Sequence, residues 1–389
     1  MPRRYALASC LAGAAVARIG DETSGPALML AGFALTGSAT AASALLAGVT
    51  VSAVVGGPVL GAVLDRAERP GRLLAGALGL YAGGLTVILL GLGRLPFAAT
   101  LVLAMATGLL GPAVAGGWTA QLPRVAPGGL LGRANALDAM TFGAAGLAGP
   151  ALAGGVAEGL GAPTAVVVAG VLIGLAVPAA LRLPGVPVRE RGSVAGDLAA
   201  GVRYVARNAA LARATLISVG SCTAQGVLTA CLPLLGERCL GGAARGAVLL
   251  TFAAASALLA NAVLACRAPA LAPDAVIRVG ALAQAAAPAL AASGRPAVLV
   301  VAAVLLGAGE GPQLTALFAV RHREAPERLR GQIFTTGASL KITGFAVGAA
   351  CGGPLAACSL PGALLLASGV AAAACVGFPV GGTRSAGRL

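Results

Sequence analysis

The sequence predicts an all-α membrane protein in which twelve transmembrane helices form two similar six-helix bundles. Three observations lead to this fold class. Apolar residues make up 58% of the 389 residues and charged residues only 10%, whereas a soluble domain carries about a quarter charged residues. The apolar residues are gathered in long runs, and features of the first six runs recur in the last six. A soluble enzyme, a coiled coil and a disordered chain are therefore excluded.

The basic residues do not indicate a nucleic-acid-binding protein, although Lys and Arg number 27 and the formal net charge is +14. A DNA-binding surface needs its basic residues gathered on one folded face. Here they stand in short clusters between apolar runs, which is typical of the cytoplasmic loops of membrane proteins. We expect the lipid bilayer and a small-molecule substrate as partners, and no nucleic acid.

The predicted spans follow from the length of the apolar runs, since a transmembrane helix needs about 20 mostly apolar residues. Charged and Pro/Gly-rich breaks delimit twelve segments, which are 5–34, 39–64, 73–93, 96–118, 134–157, 162–182, 212–235, 244–265, 276–293, 296–320, 332–356 and 360–380. The first segment follows a basic start and resembles a signal peptide. No cleavage site follows it, so we expect it to be kept as a helix.

The distribution of arginine and lysine predicts the orientation. With the N-terminus inside the cell, 21 of the 27 basic residues fall in cytoplasmic segments and four in outer segments, while Arg18 and Lys341 lie within spans. An excess of basic residues marks the cytoplasmic loops. The count therefore predicts a multi-pass protein of the cell (plasma) membrane with both termini in the cytoplasm and an even number of spans.

The longest polar stretch, 182–213, lies near the middle of the chain. It contains Pro and Gly residues, which interrupt helices, and then an amphipathic piece at 197–208. We predict a cytoplasmic linker over 184–211 with a short helix on the membrane surface. The linker separates an N-terminal six-helix bundle, 1–183, from a C-terminal six-helix bundle, 212–389.

Two Gly-Pro pairs of the first half recur 200 or 204 residues later, in spans of the same rank within each half. They are Gly111-Pro112 and Gly311-Pro312 in spans four and ten, and Gly149-Pro150 and Gly353-Pro354 in spans five and eleven. An internal repeat of six spans is typical of transporters built from two bundles. Because proline removes a backbone hydrogen bond, we expect kinks in spans four and ten that would suit gates.

The sequence holds no recognisable catalytic constellation. Its eight cysteines form no CxxC pair, and most lie in apolar segments, where cysteine is usually a small buried hydrophobe. The single histidine, His322, lies in a charged loop, so neither a metal site nor a Ser-His-Asp triad is expected. A GxxxxGK(S/T) phosphate-binding loop is absent. We expect a protein that is not an enzyme, needs no cofactor and is driven by the proton gradient.

The loop after span two carries an acidic residue among arginines. Its pattern is Gly61, then Asp65-Arg66, then Arg69 and Arg72. This pattern resembles the loop 2–3 signature of the major facilitator superfamily, and the resemblance extends over nearly the whole chain. It implies the major facilitator fold, in which spans 3, 6, 9 and 12 give support from outside and the other eight line a central cavity. It also implies a monomer.

Asp65 has a possible role that follows from its position at the inner end of span two. There it can cap the start of a neighbouring helix or pair with an arginine. Either contact would hold the two bundles together on the cytoplasmic side in one state and break in the other, as alternating access requires. The alternative is an ordinary loop carboxylate flanked by arginines. We predict a gating role for this motif.

Two further patterns favour an export branch of the superfamily. Span five resembles the antiporter motif of proton-driven drug exporters, with three residues instead of two between its Gly-Pro and Gly-Gly pairs. The motif residues are Gly146, Gly149, Pro150, Gly154 and Gly155. The strings 18–21 and 133–137 resemble the macrolide-efflux and siderophore-exporter branch, also called transmembrane secretion effectors. This resemblance implies efflux and drug resistance.

Few ionisable residues lie at membrane depth, where they are costly and usually functional. Asp21 and Glu22 lie near the middle of span one. We predict them as the proton-coupling site, because a buried carboxyl group can load and release a proton in the working pH range. Arg18 shares a helix face with both acids. We expect it to neutralise one acid while the other titrates, and which one titrates stays open.

Glu310 in span ten and Lys341 in span eleven are the matching candidates in the second half. They lie at similar depth and are expected to pair, whereas a lone Glu310 would suit a cationic substrate. Other polar or aromatic residues of the lining spans are predicted to contact the substrate: Gln225, Asn261, Gln313, Trp118 and Asp138. For Trp118, packing at the inner membrane interface is the alternative.

Together these observations predict a secondary active transporter that works by alternating access. The first hypothesis is proton-coupled efflux (antiport) of a small amphipathic or hydrophobic compound, such as a drug or secondary metabolite. The sparse polar lining suits such a compound better than a sugar, which needs many hydrogen-bond partners. The alternative is a proton-coupled uptake symporter for a small nutrient. A membrane enzyme or a non-transporting receptor would need a catalytic constellation or a soluble appendage, and neither is visible.

Overall fold

The computed structural model describes residues 3–37, 39–126, 129–185, 194–241, 243–267 and 271–376. These residues fold almost entirely into helices and include no β-strand, which confirms the all-α class. Part of the predicted linker, 186–193, and the last residues of the predicted C-terminal bundle, 377–389, lie outside the described residues. So do four of the arginines behind the predicted orientation: Arg189, Arg191, Arg384 and Arg388.

Fifteen α-helices follow one another along the described residues. They are α1 (Arg3–Thr36), α2 (Ala39–Arg66), α3 (Pro70–Gly91), α4 (Phe97–Gly108), α5 (Leu122–Val125), α6 (Leu131–Leu160), α7 (Ala162–Leu175), α8 (Val177–Leu181), α9 (Val194–Arg207), α10 (Ala209–Leu240), α11 (Ala243–Arg267), α12 (Pro273–Ala291), α13 (Pro296–Glu324), α14 (Arg330–Cys358) and α15 (Leu360–Val376). A π-helical turn, Ala113–Gly117, follows α4, and a 3-10 turn, Glu327–Leu329, precedes α14.

Nine helical segments among the described residues are long and apolar enough to cross a membrane. They are α2, α3, α4 with the π-helical turn, α6, α7 with α8, α10, α11, α13, and α14 with the 3-10 turn before it. The other long helices are more polar or shorter: α1 carries charges along its length, α12 includes Asp274 and Arg278, and α15 has 17 described residues. The chain is therefore a multi-pass membrane protein.

Local sequence features set several helix ends. Prolines begin α3, α12 and α13, where their fixed backbone angle suits the first helical turn and their missing N–H has no helical partner to lose. Asn208 precedes α10, and its side-chain oxygen accepts the Leu211 N–H at 3.0 Å. Gly241 ends the same helix with a φ of 77°, a conformation that glycine adopts without steric cost.

The short helix predicted within the linker is present as α9. Its Tyr204 hydroxyl donates to the Glu324 carbonyl at 2.9 Å, and Asn208 Nδ2 donates to Glu324 Oε2 at 3.2 Å. These bonds join the segment between the two halves of the chain to the end of α13. That α9 lies on the membrane surface stays a prediction.

The buried apolar side chains form separate clusters before and after α9. One cluster draws its residues from the first eight helices, between Cys10 and Ala180. Two further clusters draw theirs from the last six helices and the adjoining 3-10 turn. A smaller fourth cluster joins the two parts of the chain through Ala120, Ala139, Phe318 and Phe334. Many of the buried residues are alanines, whose small side chains let helices approach closely in lipid.

Helices α2 and α14 form a close contact between the two parts of the chain. Thr335 Oγ1 donates to the Gly57 carbonyl at 2.6 Å, and Ser339 Oγ donates to the Ala53 carbonyl at 2.6 Å. Gly57 permits this approach, because a Cβ at that position would overlap the Ser339 Oγ. Side-chain hydroxyls on one helix therefore bind the backbone of the other.

Span four has an irregular helix at the position of the predicted kink. Helix α4 ends at Gly108, and the π-helical turn begins directly after Pro112. Proline cannot donate the hydrogen bond that would continue an α-helix, and π-helical turns often occur at functional sites. Helix α13, in contrast, continues through Pro312.

Helix α13 corrects the prediction that span ten ends at residue 320. The helix continues to Glu324, and both Arg321 and His322 are buried in it, with exposed fractions of 2% and 7%. The predicted loop positions of these two residues were therefore wrong. The charge pattern had assigned every basic residue near a predicted span end to a loop, whereas α13 turns these two toward the protein interior.

Candidate functional site

A cavity of about 180 Å³ lies between the two parts of the chain. Its walls come from α1, the π-helical turn and α6 on one side, and from α13 and α14 on the other. Apolar side chains make up much of the lining. The charged residues that line it are Arg18, Asp21, Glu22, Arg321 and Lys341. The structure thus brings together four of the five residues predicted for proton coupling and adds Arg321.

Arg18 binds Asp138 on α6, and not either of the neighbouring acids on α1. Its Nη1 lies 2.8 Å from Asp138 Oδ1, and both side chains are buried. Thr119 donates to Asp138 Oδ2 at 2.6 Å and accepts from Arg18 Nη2 at 3.0 Å. The prediction that Arg18 neutralises Asp21 or Glu22 is therefore wrong. Asp138, which was predicted to contact the substrate, is held within this buried pair.

The π-helical turn and α6 complete the surroundings of Arg18. The Ala115 carbonyl accepts from its Nη2 at 3.0 Å, and the Asp138 carbonyl accepts from its Nη1 at 3.1 Å. Thr141 Oγ1 also accepts from Nη1, and the Phe142 ring lies 3.6 Å from the guanidinium carbon. The positive charge of Arg18 is thus neutralised, and both terminal nitrogens have hydrogen-bond partners.

Asp21 is held by a tyrosine that the sequence analysis missed. The Tyr81 hydroxyl on α3 donates to Asp21 Oδ1 at 2.7 Å, and Ser24 Oγ lies 3.2 Å from the same hydroxyl. Tyr81 is fully buried. A phenolic hydroxyl inside an otherwise apolar span was the available signal, because such a group usually finds a polar partner when it is buried.

Glu22 lies at a close approach of α1 and α6. Gly149 permits this approach, because a Cβ at that position would stand 2.5 Å from the Glu22 Cβ. The rest of the predicted antiporter motif does not share this packing. Gly146, Gly154 and Gly155 have open space where a side chain would begin, and Pro150 is exposed.

Glu310 and Lys341 form no ion pair with each other in the described part of the chain. Glu310 instead accepts a hydrogen bond from Gln225 Nε2 on α10, at 3.0 Å from its Oε2. Lys341 is half-buried in the cavity lining. The expected pair of Glu310 and Lys341 was therefore wrong, because α10 supplies an amide partner that depth alone did not reveal.

Arg321 is the functional candidate that sequence reasoning placed wrongly in a loop. It is 2% exposed and lines the cavity. Its Nε and Nη2 have no hydrogen-bond partner, and it forms no ion pair with any described residue. Its guanidinium carbon lies 5.8 Å from the centre of the Phe334 ring. The apolar pattern of span ten, continued one turn further, would have included it.

Gln313 and Asn261 lie outside the cavity lining and bind other polar side chains. Gln313 Oε1 accepts from Gln284 at 2.9 Å, and its Nε2 donates to Ser221 at 3.2 Å. Asn261 Oδ1 accepts from Thr315 at 2.9 Å. These bonds tie α13 to α10, α11 and α12, so in this conformation both side chains hold the second half of the chain together.

Trp118 also lies outside the cavity lining and is fully buried. Its ring packs on α1 at Gly13, where a Cβ would collide with ring atoms. Trp118 does not line the cavity in this conformation, and its packing at the inner membrane interface stays a prediction. The structure assigns it to the core of the first half.

Asp65 caps the start of α14. Its Oδ1 accepts the Gly331 N–H at 2.6 Å, and its Oδ2 accepts the Gln332 N–H at 2.8 Å. Of the two partners that the sequence allowed, the structure shows the helix start. A carboxylate at this position satisfies N–H groups that lack helical partners and interacts favourably with the helix dipole.

The other residues of the loop motif surround this cap. Gly61 is buried against α14, where a Cβ would overlap Thr335 Oγ1. Arg66 is half-buried next to Asp65, while Arg69 and Arg72 are exposed at the start of α3. The motif thus places one carboxylate at a contact between the two parts of the chain and leaves two arginines on the surface.

A bundle of membrane-spanning helices around a buried, charged cavity is typical of membrane transporters. The class can be named more closely from the sequence. The family model of the Major Facilitator Superfamily matches residues 10–272, which is more than half of the chain. The protein therefore belongs to the Major Facilitator Superfamily and is a transporter, not an enzyme.

Solved transporter structures share this fold. The human organic anion transporter MFSD10 (TETRAN) has a TM-score of 0.79 at 18% identity, with 96% of this chain and 99% of that chain covered. A bacterial homologue of the iron transporter ferroportin, in its outward-facing state, has a TM-score of 0.73 at 16% identity, with 96% and 99% covered. The E. coli fucose:proton symporter FucP has a TM-score of 0.74 at 14% identity, with 97% and 98% covered. No curated protein sequence matches the chain.

Proposed function

We propose that this protein is a proton-coupled exporter of small amphipathic or hydrophobic organic compounds, such as a drug or secondary metabolite. The observation that carries the proposal is that Asp21 and Glu22 line a cavity with walls from both parts of the chain. Carboxyl groups at such a place can bind protons where they also meet a substrate. Proton binding then shifts the balance between two conformations that hold the carboxyl groups differently.

The proposed topology has twelve spans in two six-helix bundles, 1–183 and 212–389, joined by the linker 184–211. In it, α4 and the π-helical turn make one span, and α7 with α8 makes another. The separate apolar clusters before and after α9 support this division. The excess of arginines in alternate loops supports a plasma-membrane orientation with both termini in the cytoplasm. We propose that the transporter works as a monomer.

In this proposal, Asp65 acts as a latch on the cytoplasmic side. Its cap on α14 joins the two bundles at that end, and the bonds from Thr335 and Ser339 to α2 continue the contact toward the membrane centre. Opening this side requires Asp65 to leave the N–H groups of α14. The latch therefore separates two states, which is what alternating access needs.

The close packing of Gly149 on Glu22 supports coupling to protons. It couples the position of α6, which carries the antiporter-like motif, to an acid of the cavity. Because the two helices meet without intervening side-chain atoms, a shift of α6 must move Glu22 or change its surroundings. A substrate that displaces α6 would thereby alter how readily Glu22 holds a proton.

A proton-coupled symporter is the second candidate, and the charges of the cavity favour it. Arg321 and Lys341 face the same space as Asp21 and Glu22. An anionic substrate would be attracted to the two cations more strongly after the acids are protonated. Proton and substrate would then bind cooperatively, and by linkage each would raise the affinity for the other. In an exchanger, proton binding must instead lower the affinity for the substrate.

Everted membrane vesicles with an acidified interior distinguish these candidates. Compounds for the assay come from a susceptibility screen of a pump-deficient host that expresses the chain. In an exchanger, adding the compound outside releases luminal protons and reduces the pH gradient, which a quenched acridine dye reports. The doubly substituted variant D21N/E22Q should abolish this response, and the control E158Q, an exposed acid on α6, should retain it.

Two outcomes would change the proposal. Undiminished proton release by D21N/E22Q would contradict coupling through these acids. Proton-driven accumulation of the compound in right-side-out vesicles, without exchange in everted ones, would replace export by uptake symport.

A further inference from the structure

Arg321 carries a buried positive charge that no described residue neutralises. Its side chain is 2% exposed, and its Nε and Nη2 lack hydrogen-bond partners. Burying an unpaired charge is expensive, and ionisable groups kept at membrane depth usually serve a ligand or an ion. Arg321 is among the residues that line the cavity, so its charge lies next to space that a ligand can occupy.

Lys341 supplies a second cation to the same cavity. It belongs to α14, whereas Arg321 belongs to α13, so two helices each contribute one cation to the lining. Lys341 forms no ion pair with any of the described residues. Two cations without an ion-pair partner in the described part of the chain therefore line a cavity of about 180 Å³, and we expect the α13–α14 wall to attract anions.

The other charged groups around the cavity have partners elsewhere or stand on another wall. Arg18 is neutralised by Asp138. Asp21 accepts from Tyr81, and Glu310 accepts from Gln225. Glu22 is packed against Gly149 on the α1 wall. The acids are thus on or near the cavity, yet none of them forms an ion pair with Arg321 or Lys341.

The remaining lining indicates what the rest of the ligand is like. The rings of Phe142 and Phe318 have centroids 5.9 Å apart, and those of Phe318 and Phe334 are 5.8 Å apart. These three rings line the cavity together with aliphatic residues such as Leu314 and Ile342. Aromatic surfaces next to a guanidinium suit a flat apolar body that ends in an anionic group.

We propose that Arg321 and Lys341 form the binding site for the acidic group of an organic anion whose apolar body packs on Phe142, Phe318 and Phe334. This inference rests on the proposed transport function in the form of its second candidate, the proton-coupled symporter, and specifies its substrate class. Arginine presents parallel N–H donors that match the two oxygens of a carboxylate, and lysine adds a point charge. The cavity is smaller than the roughly 300–1,000 Å³ of drug-sized pockets, so ligands of one or two rings fit this conformation best.

Three probes that share the naphthalene ring and carry polar groups of different charge test the proposal. They are 2-naphthoate, 2-naphthamide and 2-naphthylmethylammonium, and binding to the purified full-length protein in nanodiscs is measured by calorimetry. We expect the naphthoate to bind and the amide and ammonium compounds to bind at least tenfold more weakly. Equal affinity for the amide, or preference for the ammonium compound, would overturn the inference.

Substitutions localise the binding. R321Q should weaken naphthoate binding about 10- to 100-fold, the range for losing a charged hydrogen bond, and K341M should weaken it less. R321K keeps the positive charge but loses the parallel N–H donors of arginine. It should therefore bind naphthoate more tightly than R321Q and more weakly than the unaltered protein. The control R323Q lies on the same helix with its side chain 49% exposed and should bind like the unaltered protein. Unchanged binding by R321Q would contradict the assignment.

A second measurement guards against misfolding. Because R321Q removes an unpaired buried charge, its thermal midpoint without probe should be equal to or above that of the unaltered protein. A lower midpoint would indicate a structural role for Arg321 and count against the site.

Failure of this inference is distinct from failure of the transport proposal. If neutral compounds exchange with protons while naphthoate neither binds nor moves, the transport proposal stands and the anion site is wrong. If naphthoate binds through Arg321 and nothing moves with the proton gradient, the anion site stands and proton-coupled transport is wrong.

Discussion

The guanidinium of Arg18 and the carboxylate of Asp138 form a buried ion pair, with 2.8 Å between Nη1 and Oδ1. The pair fastens α1 to α6 at one wall of the cavity. Asp138 and Thr119 bind the two terminal nitrogens of Arg18, so neither Asp21 nor Glu22 forms an ion pair with this arginine of their own helix. We expect the pair to be structural and the two acids to remain available for protons.

Removing one member of this pair should be much more damaging than removing both. D138A leaves Arg18 buried and unpaired, and we expect a loss of about 3–5 kcal/mol of stability. The double variant R18M/D138L replaces the pair by apolar side chains and should lose less. Thermal unfolding in detergent measures both. If the double variant is at least as unstable as D138A, the ion pair does not account for the loss.

The hydrogen bond from Tyr81 to Asp21 should tune the pH dependence of transport. Y81F removes a hydrogen-bond donor from the Asp21 carboxylate, so the balance between its ionised and protonated forms must change. We expect the pH profile of proton-coupled transport to shift by about one unit. T86V removes a hydroxyl from the same helix that bonds only its own backbone, and it should leave the profile unchanged. An identical profile for Y81F would show that Asp21 does not set it.

Loss of the Asp65 cap should open the cavity toward the end of the protein where Asp65 lies. The test uses a cysteine at Ala338, which lines the cavity, in a background without other cysteines. A membrane-impermeant maleimide applied from the Asp65 side should label it slowly, and D65N should increase the labelling rate several-fold. D274N is a suitable control, because Asp274 bonds Arg213 and Arg323 within the second half. Equal labelling rates in D65N and in the protein with Asp65 would contradict the proposed latch.

Gly57 should be intolerant of even one added carbon. In G57A the new methyl group would overlap Ser339 Oγ, and we expect about 1–3 kcal/mol of destabilisation of the α2–α14 contact. G79A provides the matched control, because nothing lies within 4 Å of a Cβ at position 79. In that variant the better helix propensity of alanine should leave stability unchanged or improved by up to about 1 kcal/mol. Similar thermal midpoints for G57A and G79A would refute the close contact.

Hydropathy and charge predicted the fold class, because every helix that crosses the bilayer needs about 20 mostly apolar residues. The cap by Asp65 was also among the expected contacts, since a carboxylate at one helix end has few alternative partners. The partner of Arg18 was not predictable in the same way. Spacing along one helix suggested Asp21 or Glu22, whereas the actual partner, Asp138, is 120 residues away on another helix.

Arg321 shows a second limit of sequence reasoning. A basic residue near a predicted span end satisfies the same charge rule whether it is in a loop or one turn inside the protein. Only the rotation of α13 against its neighbours decides between the two, and that rotation depends on packing between many helices. Tyr81 was missed for a related reason, because a single hydroxyl hardly alters the apolar character of α3.

The hydroxyl of Thr335 has two carbonyl oxygens within hydrogen-bond distance. It lies 2.6 Å from the Gly57 carbonyl across the contact and 2.9 Å from the Gly331 carbonyl of its own helix. If α2 and α14 separate as proposed, the Thr335 hydroxyl can donate to Gly331 alone, so its hydrogen-bond donor does not become unpaired. The contact between the two helices could then break and form again with little enthalpic cost at this residue, as alternating access would require.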